Sequence, residues 1–191
     1  YKLVTAYAAL SENLIKPEDT VFCPGHFRLG KRKYRCWKKR GHGAMNLHDA
    51  LVQSCDVYFY TLGHRLGIDN LAKYAKKLGF GSNTGIGLSG EKSGLIPTSA
   101  WKKKVKNEVW YPGETISASI GQGYNLITPL QNASMISAIS NGGFLPTPYL
   151  VKKVEDSEGK LIKEFPPPNL KKIAMDPEIL KHLKEGLRGV V

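Results

Sequence analysis

Three cysteines and a histidine stand at Cys23, Cys36, His42 and Cys55, a Cys-x12-Cys-x5-His-x12-Cys spacing in the first third of a 191-residue chain. Thiolates with an imidazole are a zinc ligand set, but zinc ribbons and fingers pair their cysteines two to four residues apart, and these are not so paired. By spacing alone, three unrelated thiols and a loop histidine are the plainer reading. An odd cysteine count also argues against a disulfide framework. Cys55 lies between Ser54 and Asp56 in "LVQSCDVYFY". A hydroxyl and a carboxylate two residues apart, with Lys2 elsewhere on a first helix, could pass protons, yet each pattern alone is too common to carry an assignment.

The elements that must position these residues are read from periodicity and stop signals. A helix is expected over 1–15, with Leu3, Val4, Tyr7, Leu10, Leu14 and Ile15 apolar and Pro17 ending it. Residues 17–45 read as a long, Gly-rich, basic loop, and a loop of that length needs something to hold it. A second helix is expected from Asn46 to Gly67, with Asp69 capping a third that stops at Gly79 and Gly81. Residues 81–127 carry short segments at most. Thr128, Pro129 and Gln131 form a capping box with Pro in its preferred place, opening a helix striped by Leu130, Ala133, Ile136 and Ile139. Two β-rich runs around "EDSEG" predict a hairpin over 149–165, and Asp176-Pro177 opens a last helix. The fold class is α+β: a mainly helical lobe plus a β-hairpin.

Lys and Arg number 28 against 16 acids, a net charge of +12 that favours anionic partners. The hydrophobic content of 41% is that of a globular protein. No apolar run approaches a membrane span. The chain opens in mid-helix and ends on apolar residues, so it is expected to be a segment of a larger protein, and the missing targeting signal then says little about location.

Taken together, these stretches resemble a known family. "GHGAMNLHDALVQSCDVYFYTLGHRLGIDNLAKYAKKLGFG", then "TGIGL", "GLIPTSAWK", "WYPGETISASIGQGYNLITPLQ" and "ISNGGFLPTPYLVKKV", resemble the transpeptidase domain of class B penicillin-binding proteins, in the penicillin-binding protein 2 or cell-elongation subtype. The resemblance runs over nearly the whole chain in one order. It implies the penicillin-binding protein/β-lactamase-like serine transpeptidase fold, with residues 1–191 forming part of one such domain. Three motifs serve that family: S-x-x-K, S-x-N and K-T-G. "YKLVTAYAAL" matches the residues just after the first serine, so Lys2 is the lysine of S-x-x-K and the nucleophilic serine is expected two residues before Tyr1. Ser54-Cys55-Asp56 matches the second motif, with Asp where most relatives carry Asn. K-T-G is expected beyond Val191. The implied catalytic residues are therefore Lys2, Ser54 and Asp56, and this piece alone is expected to be inactive.

The implied reaction is D,D-transpeptidation of peptidoglycan stem peptides through a serine acyl-enzyme, with β-lactams acylating the same serine. The resemblance also implies elongation-machinery partners, no nucleic acid, and a parent protein anchored by one span in the bacterial inner membrane with this domain in the periplasm. Members of the subtype can hold a zinc ion beside the active site through carboxylates, a His and a Cys. His42 and Cys55 match the last two, Cys36 falls where relatives often have Asp, and Cys23 supplies the fourth ligand, with Asp19 as runner-up. One structural Zn²⁺ on Cys23, Cys36, His42 and Cys55 would clip the basic loop to the catalytic motif. His26, His48 and His64 are left as ordinary residues. Two other readings remain: a penicillin-sensing receptor domain, and a basic zinc-clipped nucleic-acid-binding module.

Overall fold

The computed structural model describes residues 1–168 and 170–191. Two helices make its centre, α1 (Lys2–Ser11) and α3 (Asp56–Lys77). Every residue of α1 from Leu3 to Leu10 is buried. A helix wrapped on all sides needs no amphipathic stripe, so its ends rather than its faces carry polar chemistry. Helix α1 is shorter than expected, ending at Ser11 with Asn13 in left-handed backbone.

The long basic loop is not structureless. It holds β1 (Val21–Cys23), β2 (His26–Leu29), β3 (Arg32–Arg35) and β4 (Gly43–Met45). Strand β1 pairs antiparallel with β4, Cys23 opposite Gly43, while β2 and β3 form a hairpin turned at Gly30. Opposite residues share a face. One face therefore carries Phe27 and Tyr34, which meet Tyr60 of α3 with ring centroids 6.3 and 6.0 Å away. The other carries the Arg28–Lys33 and His26–Arg35 pairs. Basic residues at alternate positions hid a period-two pattern that reads as loop when only charge is counted.

The second expected helix is two. Asn46 caps α2 (Leu47–Val52), accepting from the Asp49 N–H at 2.9 Å, and the chain breaks before α3 begins at Asp56. The stretch named α3 is two helices joined at Gly67, whose φ of +73° and ψ of 164° are non-helical, so the expected stop falls there and a further helix follows directly. Asp69 does not cap there; its carboxylate accepts from the N–H and hydroxyl of Ser99, at the start of α4 (Ser99–Lys106). Helix α4 and α5 (Pro112–Ala118) lie where only short segments were expected. Lys102 of α4, 1% exposed, ties them together, 2.6 Å from Glu114 and 3.1 Å from Glu108. Burial pulls its ammonium pKa down, but the two glutamates outweigh burial and leave it raised.

Helix α6 (Pro129–Ser140) opens as expected: Thr128 Oγ1 accepts from the Gln131 N–H, and Gln131 Oε1 from the Thr128 N–H. Its buried side is Gln131, Ser134, Met135, Ala138 and Ile139, so of the predicted stripe only Ile139 is deeply buried. Gln131 explains the rotation, because its amide donates inward to the carbonyls of Ser82 and Ser93. Beyond α6, β5 (Phe144–Leu145) pairs with β8 (Lys171–Lys172). Strands β6 (Lys153–Glu155) and β7 (Leu161–Glu164) make the expected hairpin. Asp176 caps α7 (Pro177–Arg188), which packs on α1 and α2. Among the described residues, no helix is long and apolar enough to cross a membrane.

Candidate active site and metal cluster

Helix α2 ends in a Schellman motif. The Ser54 N–H donates to the Leu51 carbonyl at 3.2 Å and the Cys55 N–H to Ala50 at 2.9 Å. This motif needs a left-handed residue, usually Gly, and here it is Ser54 at φ +51°. A non-glycine residue held there costs on the order of 1–3 kcal/mol and persists only where its surroundings fix it. The chain thus gives up the residue the turn prefers and places a hydroxyl there. Cys55 follows in extended backbone as the N-cap position of α3, and Asp56 opens the helix. Ser54 and Asp56 therefore meet across a turn, not along one helical face.

Lys2 comes to them from the first turn of α1. Its ammonium donates to Asp56 Oδ1 at 2.6 Å, to Ser54 Oγ at 2.8 Å and to the Ser54 carbonyl at 2.7 Å. Three donors are all an ammonium has. Lys2 and Asp56 side chains are 18% and 14% exposed, so the pair is shielded but reachable. The other Asp56 oxygen, Oδ2, accepts from the Trp37 backbone N–H at 2.9 Å. Both carboxylate oxygens thus face donors. An Asn would turn its NH2 against one of them, which is a physical reason for Asp at this position. A cleft of about 440 Å³ opens over Tyr1, Lys2, Ser54 and Asp56, with Ile120, Gln122 and Val190 also on its wall.

Behind the turn, Cys23, Cys36, His42 and Cys55 offer ligand atoms that all lie within 4.8 Å of one another. They arrive from the end of β1, the residue after β3, the approach to β4 and the α2–α3 turn. His42 Nδ1 is 3.5 Å from the sulfurs of both Cys23 and Cys36. A single ring nitrogen cannot make a linear hydrogen bond to two sulfurs at once. In a tetrahedral zinc site, Zn–S of ~2.3 Å and Zn–N of ~2.0–2.1 Å put sulfur and nitrogen about 3.6 Å apart. The donor set and its spacing fit that ion. Burial, with Lys38 next, holds the His42 pKa below its ordinary value, which favours the neutral ring a ligand needs. Burial pushes the Cys55 thiol well up, so it is no free thiolate nucleophile. Asp19 lies outside the cluster, its carboxylate accepting from the Lys16 N–H at 2.8 Å.

The structure thus brings the sequence-predicted residues together in two adjoining groups, Lys2–Ser54–Asp56 and Cys23–Cys36–His42–Cys55, which share the Ser54–Asp56 turn. Sequence reasoning missed Trp37, whose indole and backbone both reach that turn. It also missed Gln122 and Ile120, although both stand in the quoted "SIGQG".

A lysine, a serine and a carboxylate thus meet under a cleft between a central buried helix and its neighbours. The chain belongs to the penicillin-binding protein transpeptidase domain family, whose model matches residues 1–191. It is 39% identical over 190 residues to a peptidoglycan D,D-transpeptidase, MrdA, of Haemophilus influenzae, covering 97% of this chain and 29% of that protein. The chain therefore spans under a third of that relative's length. Pseudomonas aeruginosa PBP2, solved with the compound WCK 5153, superposes with a TM-score of 0.85 at 36% identity, covering 97% of this chain and 42% of that one. Helicobacter pylori PBP2, solved in complex with MreC, superposes at 0.83 with 34% identity, covering 99% and 33%. The family match includes the basic stretch, so that stretch no longer calls for a nucleic-acid-binding module.

Proposed function

We propose that this chain is part of a peptidoglycan D,D-transpeptidase of the PBP2 type, carrying one of its three catalytic motifs whole and the lysine of another. The observation that supports this best is Lys2, with its ammonium on Ser54 Oγ and Asp56 Oδ1 at the floor of the cleft. In the parent protein the S-x-x-K serine sits one turn before Lys2, on the same face of α1. Its hydroxyl attacks the penultimate carbonyl of a D-Ala-D-Ala stem, the C–N bond to the last residue breaks, and an acyl-enzyme forms. Lys2 takes the serine proton. To do so it must be the neutral amine, and one of its three present hydrogen bonds gives way. Ser54 Oγ, 2.8 Å from Lys2 Nζ, relays a proton to the leaving amine, while Asp56 orients both groups. The amine of a second stem then takes the acyl group and closes the cross-link. β-Lactams acylate the same serine.

One structural Zn²⁺ belongs on Cys23, Cys36, His42 and Cys55. Bound there it supplies cohesion, not Lewis-acid chemistry, because four protein ligands leave no open position. Three thiolates around Zn²⁺ carry net −1, and Lys38, Lys39 and Arg40 nearby offset it. The parent sits on the inner membrane with this domain in the periplasm and works with elongation proteins; the MreC complex of the Helicobacter relative supports the partnership.

The test is labelling of the parent protein by fluorescent penicillin. The wild-type parent becomes labelled and Lys2→Ala abolishes labelling. Full labelling of the Lys2→Ala protein would sink the role given to Lys2.

A further inference from the structure

Trp37 belongs to none of the three family motifs, yet it grips the catalytic turn at three points. Its backbone N–H donates to Asp56 Oδ2 at 2.9 Å. Its indole Nε1–H is shared between the Gln53 carbonyl at 3.1 Å and the Ser54 carbonyl at 3.0 Å. Those carbonyls stand at the end of α2, where a helix leaves acceptors without partners. One of those carbonyls belongs to the residue whose backbone needs outside support, Ser54 at φ +51°. The Ser54 carbonyl also accepts from Lys2, so its two lone pairs are divided between the catalytic amine and the indole.

Trp37 is held equally firmly from the other side. It follows Cys36 directly, and its ring meets His42 edge-on with centroids 5.2 Å apart. Yet it is 62% exposed, so burial of the indole does not explain its position. Its polar contacts do. Fixing Oδ2 on the backbone N–H of Trp37 leaves Oδ1 turned toward Lys2.

We infer that Trp37 is a positioning residue that ties the Cys/His cluster to the Ser54–Asp56 turn, holding Ser54 in its left-handed backbone and Asp56 in register with Lys2. The catalytic meaning of this rests on the transpeptidase reading; the mechanical tie rests on the hydrogen bonds alone.

The test uses the full-length, zinc-loaded parent with two variants. Trp37→Phe removes the indole, and β-(3-benzothienyl)alanine at position 37 keeps the ring shape while replacing its N–H by sulfur. Four quantities are read: the acylation rate constant k2 and the Kd for a fluorescent penicillin, zinc per chain, and amide exchange at Ser54 and Cys55. The expected result with the sulfur isostere is k2 lower by about 3- to 10-fold, the worth of one net hydrogen bond, with Kd and zinc content unchanged. The two amides that close the Schellman turn exchange faster by a similar factor. Unchanged exchange with unchanged k2 overturns the inference. So does a fall in k2 that tracks lost zinc, because the effect then runs through the metal cluster and not through the indole donor. If the wild-type parent is not acylated at all, the transpeptidase reading falls and the exchange measurement still decides the tie.

Discussion

Gly63 and Ser119 touch so closely that a Cβ placed on Gly63 would lie 2.2 Å from the Ser119 Cβ. Gly63 is in the middle of α3, where glycine is a poor helix former, and the approach is the reason it is there. Ser119 is fully buried, its carbonyl accepts from Thr5 Oγ1 of α1 at 2.6 Å, and its hydroxyl donates back to Ile116. Three elements therefore lock at one point, and the chain runs straight from it to Ile120 and Gln122 on the cleft wall.

Gly63→Ala is expected to destabilise the parent's transpeptidase domain by about 1–3 kcal/mol, the usual cost of overpacking a filled core. Because the displaced segment lines the cleft, penicillin acylation should slow as well. Urea unfolding and acylation kinetics on the same preparation check both. A variant of unchanged stability would mean that α5 moves aside freely.

Asp56→Asn removes a charge and one acceptor from a group whose two oxygens face Lys2 and the Trp37 N–H. A charge-assisted hydrogen bond is worth about 1.5–3 kcal/mol, so acylation is expected to fall roughly 10- to 100-fold. The fall should appear in k2 more than in penicillin affinity. Acylation at the wild-type rate would show that one oxygen suffices and that Asp stands here for another reason.

What could be read from the sequence divides along the range of the interactions that decide each element. The α6 capping box and the Asp176 cap of α7 are written within four residues, and both appear as expected. The break between α2 and α3 was invisible because the left-handed position holds Ser54, where the usual glycine signal would have marked a stop. Helix α4 was not singled out within 81–127, and its buried Lys102 gives no local signal, since only Glu108 and Glu114 further along the chain turn its charge inward. The Cys/His group shows the same limit. Its members come from four separate elements, so their spacing carries no signature, and the family resemblance rather than the pattern selected them.

Glu12 gives a pH-dependent tie between the end of α1 and α3. Its carboxylate accepts from Lys73 Nζ and from the Tyr74 hydroxyl, both at 2.8 Å. Those hydrogen bonds hold its pKa below the ordinary 4.5. A depressed folded-state pKa means a contribution that is complete above about pH 4.5 and is lost as pH falls through the lower folded value. Glu12→Gln should therefore narrow the stability gap to wild type as pH drops from about 6 to about 3. Denaturant midpoints across that range measure it, and a constant gap would show that Glu12 titrates alike in the folded and unfolded chains.

The metal cluster gives the last and most discriminating expectation. The parent purified without added zinc should carry one zinc per chain, and its three thiols should react with a thiol reagent only after chelation. Ligand that binds the folded state alone stabilises it by about 4 kcal/mol when present at a thousandfold over its Kd, so chelation should lower the unfolding temperature clearly. Cys55→Ser and Cys23→Ser remove ligands that come from different elements, the catalytic turn and β1. Both should lose metal, but Cys55→Ser should slow penicillin acylation more, since residue 55 lies between Ser54 and Asp56. Serine keeps the size of the residue, so the difference reports the ligand and not the packing. Three freely reactive thiols and no zinc in the wild-type parent would reduce Cys55 to a buried spacer between two catalytic residues. The transpeptidase reading would stand in that case, because Lys2, Ser54 and Asp56 meet without any help from the sulfur atoms.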